Sequence, residues 1–375
     1  MVNFLLDHKM VFFSLYFFFT IFLSIIVNGF FLKYFKGFGT KDFKNANMVR
    51  WSHSSKPALG GFSFYMVFLF SIVTFSFFPF GDGSIIGAHW FGLIAACTVG
   101  FLSGMIDDIY NNKPFLKLIC QLLAAIILVY SDFIIHISDN QFINILMTIF
   151  WVVAIMNSIN MIDNMDGVAT TVGIFILLNS IVVARTQTSF TSVYLFSALG
   201  IIGALVGFLY YNWNPSKMYM GDTGSQTLGV ILATMGIMVS WSFRDNAEGG
   251  VQIKQFIIPL VTYLALIIDT TTVVIRRMAA GKSPFTGGKD HITHHLAYLG
   301  LTETNVVLVL SGLSFLTIAA NYYLVKYFND ISVSEVALMI VGLIILFLIV
   351  QYFYEKGKKK MQQREQAKPK NASAH

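Results

Sequence analysis

Charge is scarce in this chain. Only 12% of its 375 residues are Asp, Glu, Lys or Arg, against roughly 25% in soluble domains, which excludes an ordinary globular fold with a charged surface. Proline is sparse too, at 7, so long helices can run uninterrupted. Cysteine is limited to Cys97 and Cys120, each inside an apolar run. That excludes a disulfide framework or a cysteine zinc site and leaves two small packing residues. A nucleotide-hydrolysing P-loop is also missing: "GKS" at 281–283 has Arg276 where the motif needs glycine and Pro284 in the helix it must open.

What the chain has instead is apolar length. Hydrophobic residues make up 56% of it, 37 of them Phe. A window of about 20 residues, enough to cross a hydrocarbon core, picks out eleven spans: 10–32, 59–80, 85–106, 115–133, 142–160, 167–184, 192–211, 224–242, 256–275, 305–328 and 333–354. The expected fold is therefore an all-α polytopic membrane protein of about eleven transmembrane helices. The first span is longer than a signal-peptide core and lacks an A-x-A-like site after it, so it counts as a helix. With the C-terminus cytoplasmic and the N-terminus outside, 20 of the 25 Lys and Arg fall on the inner side. Only Lys9, Arg185, Arg244, Lys254 and Lys326 lie outside, a strong positive-inside bias. The formal charge of +6 then reflects topology and anionic lipid headgroups rather than nucleic acid. Residues 1–355 read as one integral membrane domain and 356–375 as a basic, disordered cytoplasmic tail.

Four polar clusters interrupt this apolar pattern, and in that topology all four face the cytoplasm. They are "GMIDDIYNNKPFLKLICQ" (104–121), "NSINMIDNMDG" (157–167), "NWNPSKMYMGDTGS" (212–225) and "RRMAAGKSPFTGGKDHITHHLAYLG" (276–300). Adjacent Asp107 and Asp108 repel unless a cation or shared proton lies between them, with Asn111 and Lys117 following at helical spacing. Asn157, Asn160, Asp163 and Asp166 recur every three residues, a row of oxygen ligands suited to a hard cation such as Mg²⁺; a helix C-cap and turn would explain them equally well. Asp222 sits between glycines before an apolar helix, as a cap or a ligand. Arg276, Arg277, Lys282, Lys289, His291, His294 and His295 supply the cations of a phosphate-binding lip, a more coherent account opposite five aspartates than a zinc site. Asp269 lies within a span, where a carboxylate needs a partner such as Arg276 or Arg277.

Cations and carboxylates on one membrane face point to a divalent ion bridging a diphosphate, with a lipid as one substrate. The simplest chemistry exchanges one phosphoanhydride for another. A lipid phosphate attacks the β-phosphorus of a nucleotide sugar and expels a nucleoside monophosphate, and the protein's part is positioning and charge neutralisation.

In order and on one membrane face, "DDIYN…K…Q", "NSINMIDNMDGVA", "NPSKMYMGDTGS" and "RRMAAGKSPF…DHITHHL…G" resemble the motifs of the polyprenyl-phosphate N-acetylhexosamine-1-phosphate transferases. The resemblance runs from about "KPALGGFSF" (56–64) to Gly300 and is nearest the WecA/TagO-like branch, which starts O-antigen, enterobacterial common antigen or teichoic acid linkage units. It implies transfer of GlcNAc-1-phosphate from UDP-GlcNAc to undecaprenyl phosphate with release of UMP, dependence on Mg²⁺ or Mn²⁺, a bacterial cytoplasmic membrane location and an active site facing the cytoplasm. The implied partners are a UDP-sugar, undecaprenyl phosphate, membrane lipids and a second copy of the chain in a homodimer.

By position, the resemblance makes Asp222 the principal metal ligand and Asn160 its partner. Asp107 and Asp108 become base or organisers, Lys117 a contact to the diphosphate, and Asp163 and Asp166 residues of the nucleotide end. Arg276, Arg277, His291, His294 and His295 become the loop that closes over sugar and diphosphate. The chain departs from the pattern at Asn164, where the family has Gly, and in His291-x-x-His294-His295 where H-x-H-H is common. The alternatives are the phospho-MurNAc-pentapeptide transferases of peptidoglycan synthesis, which have a tighter histidine triplet, and a polytopic transporter, which would carry its ionisable residues nearer the midplane. A CDP-alcohol phosphotransferase is excluded because "DGVATT" starts its D-G-x-x-A-R run but ends without the Arg.

Overall fold

The computed structural model describes residues 9–38, 56–76, 87–110, 114–185, 192–243, 256–283 and 288–366. Helices account for almost all of the described backbone: α1 (Lys9–Tyr34), α2 (Gly60–Ser76), α3 (Ala88–Tyr110), α4 (Pro114–Tyr130), α5 (Gln141–Ile162), α6 (Val168–Ala184), α7 (Ser192–Asn212), α8 (Gly221–Met235), α9 (Ile257–Thr262), α10 (Leu264–Ala279), α11 (Ile292–Tyr298), α12 (Glu303–Lys326) and α13 (Val333–Gln366). No β-strand occurs among the described residues; the single β-bridge joins Ala58 to Tyr219. Among the described residues seven helices are long and apolar enough to cross a membrane, and α2, α4 and α6 are shorter apolar helices. Together with the broken pair α9–α10, these give the all-helical architecture of a polytopic membrane protein read from the sequence.

α8 is the axis of the bundle. It packs against α3, α5, α2 and α6, and Thr223, Ser225, Gln226, Thr227 and Thr234 along it are all buried. It is also the least apolar of the seven long helices. Small and hydroxyl side chains let neighbouring helices approach closely in a membrane protein, where apolar bulk gives no advantage over lipid. The most apolar helices, α1 and α13, lie at the periphery with most of their surface open. α8 continues through a π-helical turn, Gly236–Ser240, where a Cβ on Gly236 would stand 2.8 Å from both Trp151 and Tyr263. Tyr263, fully buried, separates α9 from α10 and donates its hydroxyl to the Leu232 carbonyl at 2.5 Å.

Three expectations change here. The tail is not wholly disordered, because α13 runs on to Gln366 and takes residues 356–366 into the helix. The polar segment after α10 is not all loop, because His294 and His295 belong to the short helix α11. Asp163 and Asp166 do not share a helix face: α5 ends at Ile162 with Asp163 as its C-cap, and Asp166 lies in the turn beyond.

Candidate active site

The turn that presents Asp222 is held from four sides. Tyr219 donates its N–H to the Pro57 carbonyl at 2.9 Å and accepts from the N–H groups of Leu59 and Gly60 at 3.3 Å. Asn212 donates to the Met218 carbonyl at 3.0 Å, while its own oxygen accepts from Gly167 N–H at 3.1 Å and Thr170 Oγ1 at 2.8 Å. Gly221 has φ +74°, a left-handed backbone that glycine adopts without strain. α3 then lies directly on the turn, since a Cβ on Gly104 would be 2.2 Å from the Asp222 carbonyl oxygen.

Asp108 closes the arrangement. Its carboxylate, 3% exposed, accepts from Asp222 N–H at 2.9 Å, Thr223 N–H at 2.8 Å and Thr223 Oγ1 at 2.7 Å. It thereby caps the N-terminus of α8 from another helix and meets the positive end of its dipole. Of the two roles expected for Asp108, base or organiser, this geometry favours the organiser, because its lone pairs serve the backbone that aims Asp222.

Above this cap lies a charged layer drawn from α4, α5 and α8, with Asp107 of α3 at its edge. Lys117 Nζ is 2.5 Å from Asp222 Oδ1, 3.0 Å from Asn160 Oδ1 and 3.5 Å from Asp107 Oδ2. Asn160 Nδ2 in turn donates to Asp222 Oδ1 at 2.5 Å and Ser225 Oγ at 2.9 Å. Lys117 does not continue the helix of Asp107, as its spacing had implied; it opens the next helix and returns to meet that carboxylate. Asn111 lies outside the described residues.

One helical turn deeper, the same helices supply three amides. Gln121 follows Lys117 by four, Asn157 precedes Asn160 by three and Gln226 follows Asp222 by four. Asn157 donates to the Val153 carbonyl at 2.9 Å and to Gln121 Oε1 at 2.8 Å, and Gln121 donates to Gln226 Oε1 at 3.0 Å. Beyond this neutral layer a cavity of about 1150 Å³ turns apolar, lined by Leu118, Leu122, Phe150, Val153, Ile267 and Ile275. Phe150 and Ile275 are more than half exposed, so the groove opens on the outer surface of the bundle.

The α5–α6 turn forms another wall. Asp163 and Asp166 both line the cavity, but Asp166 is engaged by the α7–α8 loop, accepting from Ser216 N–H at 2.9 Å, Ser216 Oγ at 2.7 Å and Asn214 Nδ2 at 3.2 Å, with Lys56 Nζ 3.6 Å away. It ties two walls of the cavity together. Asn214 also donates to Glu303 Oε2 at 3.0 Å, and Glu303 lines the cavity.

α10 and α11 supply the cationic wall. Arg277 grips Asp290 through Nε at 2.8 Å and Nη2 at 2.7 Å. Burial pushes the Asp290 carboxyl up, but the hydrogen bonds and charge of Arg277 outweigh it and hold that carboxyl below its ordinary range. Asp269 is 2.8 Å from His291 Nδ1 and accepts from Ile292 N–H at 2.9 Å, so its partner is His291 rather than either arginine. Thr293 donates to Asn164 at 2.7 Å, joining α11 to the α5–α6 turn. Burial, then the charge of His291, lowers the His294 imidazole to about 3. Burial, then Arg276, lowers His295 to about 4. Both rings are neutral at pH 7. His291, His294 and Arg277 line the cavity; Arg276 and His295 do not. Arg276 pairs with Gln351 and Glu355, and His295 packs against Tyr354 in a tilted ring contact, because both side chains leave α10 and α11 on the side that faces α13.

Several of these partners were not singled out from the sequence: Lys56, Gln226, Asn214, Asp290 and Glu303. Only Gln226 had a usable signal, its spacing of four from Asp222. The others depend on contacts between segments far apart in the chain.

The donor set suits a hard cation. Asp222 Oδ1 draws in both the Lys117 ammonium and the Asn160 amide, so it is a carboxylate that calls for positive charge. Among the described residues no three His, Cys, Asp or Glu side chains are close enough to enclose an ion. Two oxygen ligands in an open cleft fit Mg²⁺, which keeps waters and takes substrate phosphates.

Comparison with known proteins gives consistent results. The glycosyl transferase family 4 model matches residues 90–240, which hold Asp107, Lys117, Asn160 and Asp222. A probable undecaprenyl-phosphate N-acetylglucosaminyl 1-phosphate transferase of Bacillus subtilis is 29% identical over 273 residues, 68% of this chain and 70% of that protein. A decaprenyl-phosphate N-acetylglucosaminephosphotransferase of Mycobacterium leprae is 27% identical over 68% of this chain and 69% of its own length. A phospho-N-acetylmuramoyl-pentapeptide-transferase of Staphylococcus saprophyticus is 31% identical over 285 residues, 69% of this chain and 82% of the relative. With that identity sustained over most of a relative's length, the chain belongs to glycosyl transferase family 4 and is an enzyme of its phosphosugar transferase kind.

Proposed function

We propose that the chain transfers GlcNAc-1-phosphate from UDP-GlcNAc to undecaprenyl phosphate, giving undecaprenyl-diphosphate-GlcNAc and UMP, at the cytoplasmic face of a bacterial inner membrane. The observation that carries this reading is the junction in one cavity of a charged layer, Lys117, Asn160 and Asp222, with an apolar groove open on the bundle surface. A phosphate on a long apolar chain matches that junction. Residues 1–355 form the membrane transferase unit, with eleven crossings and the N-terminus outside.

In the reaction, an oxygen of the lipid phosphate forms a bond to the β-phosphorus of the UDP-sugar as the bond to the bridging oxygen breaks, and UMP leaves with that oxygen. A phosphate monoester with a second pKa near 6 is already largely deprotonated at pH 7, so the nucleophile needs little help from a base. Lys117 neutralises the phosphates, held in place by Asp107 and Asp222. Arg277, fixed by Asp290, and His294 face the diphosphate from the opposite wall. His291 N–H points at His294 Nδ1 at 3.4 Å, which leaves Nε2–H as the donor of a neutral ring. Asp163 and Asp166 border the nucleotide end. Asp222 and Asn160 would hold Mg²⁺ or Mn²⁺, which when bound would screen the charge of the diphosphate.

The 31% identity to a phospho-N-acetylmuramoyl-pentapeptide-transferase makes UDP-MurNAc-pentapeptide the second donor to test. Purified protein with Mg²⁺, undecaprenyl phosphate and a panel of labelled UDP-sugars is expected to move label from UDP-GlcNAc into lipid with UMP release. Label entering lipid only from UDP-MurNAc-pentapeptide would replace the first reading by the second.

A further inference from the structure

α13 is far longer than a membrane crossing requires. Its 34 residues span about 51 Å at 1.5 Å each, and the part beyond Val350 packs on α10 and α11 rather than ending in water. Gln351 accepts from Arg276 Nη2 at 2.8 Å and donates to Thr272 Oγ1 at 2.6 Å. Glu355 forms an ion pair with Arg276, and the Arg276 guanidinium lies 3.6 Å from the centre of the Tyr354 ring. That ring lies against His295, with centroids 3.7 Å apart and planes tilted by 37°. Gly357 packs so closely that a Cβ there would be 2.6 Å from the His295 carbonyl oxygen. Lys360 Nζ donates to the Leu299 carbonyl at 2.8 Å, capping the end of α11. On its other side α11 carries His291 and His294 into the cavity.

We infer that the C-terminal end of α13 is a brace that sets the position of α11 over the cavity, and that Arg276 and His295 are positioning residues rather than contacts to substrate. A guanidinium stacked on tyrosine and bound by both an amide and a carboxylate is committed to its own protein. Moving α13 away from α11 would displace His294 and loosen the wall that faces the sugar diphosphate. This rests on the reading of the cavity as the transfer site.

Gly357→Ala tests it, with Gly342→Ala as the matched control. Both replace a glycine with the better helix former on one helix, yet nothing lies within 4 Å of a Cβ at Gly342, whereas Gly357 meets the α11 backbone. In the full-length protein, G357A is expected to raise KM for the UDP-sugar about 10- to 100-fold, the scale on which misplacement by an ångström acts. KM for the lipid should change little, and amide exchange across 291–299 should speed up. G342A should match wild type in all three. Arg276→Lys, which keeps the charge and loses the stacked fork, should follow G357A. Wild-type kinetics and exchange in G357A would overturn the brace. If G357A does not purify as a monodisperse protein, the double variant Gln351→Ala, Glu355→Gln removes brace contacts without adding bulk and is read the same way. Were wild type to transfer no sugar from any donor, the functional reading would fail, while exchange at 291–299 would still decide the brace.

Discussion

Two aspartates 114 positions apart in the sequence divide the work at the centre of the site. Asp108 points its carboxylate at backbone N–H groups and Asp222 points its own at a lysine and an amide. Replacing each by asparagine should therefore have different consequences. Asp108→Asn offers one acceptor oxygen to three donors and leaves part of the α8 N-terminus unpaired, at a cost of roughly 1–3 kcal/mol, visible as a lower melting temperature in detergent. Asp222→Asn should melt near wild type and lose at least about 100-fold in turnover, an expectation from the electrostatic role of the site. Residue identity in this layer was legible in the sequence because carboxylates and amides stand out against apolar helix. Their division of labour was not, since it depends on which oxygen faces which backbone.

The histidines add a pH dependence at the same scale. His294 and His295 titrate at about 3 and 4 in the folded protein, below the roughly 6.5 of an unfolded histidine. Below that value the unfolded chain takes up protons that the folded chain refuses, so stability is full above pH 6.5 and declines as pH falls toward 4. The melting temperature should drop between pH 7.5 and 5, and less so in the double variant His294→Asn, His295→Asn. A flat wild-type profile would contradict the buried, neutral assignment.

At the level of elements, close approach matters more than apolar area. α3 lies against the Asp222 turn only because position 104 is glycine, and Gly104→Ala places a methyl 2.2 Å from the Asp222 carbonyl oxygen. The turn must shift, and activity is expected to fall about 100-fold while binding of the nucleotide, followed by calorimetry, weakens far less. Hydropathy located the long apolar helices, since peripheral α1 and α13 and buried α8 alike carry runs long and apolar enough to cross a membrane. It missed α11, whose seven residues are too few and too polar to register, and the helical run of α13 past Tyr354, which is held by packing on Arg276 and His295 rather than by apolar character. The break between α9 and α10 was equally invisible, being set by what Tyr263 meets on α8.

For the molecule as a whole, the polar ends of α3, α4, α5, α8 and α10 meet at one end of the bundle, the end that we propose faces the cytoplasm on the excess of lysine and arginine in its loops. Single cysteines at Lys282 and Arg185, in a background lacking Cys97 and Cys120, should react with a membrane-impermeant maleimide from opposite sides: 282 from the cytoplasm, 185 from outside. Labelling of both from one side would break the assigned topology.

In the proposed reaction a phosphosugar, not a bare sugar, crosses from nucleotide to lipid. UDP-GlcNAc labelled with ³²P at the β-phosphorus separates the two outcomes in one extraction. The label is expected to enter the lipid phase in step with UMP release, and Asp222→Asn to lower both at least about 100-fold. Label remaining in the aqueous phase as UDP while the sugar appears on lipid would contradict it.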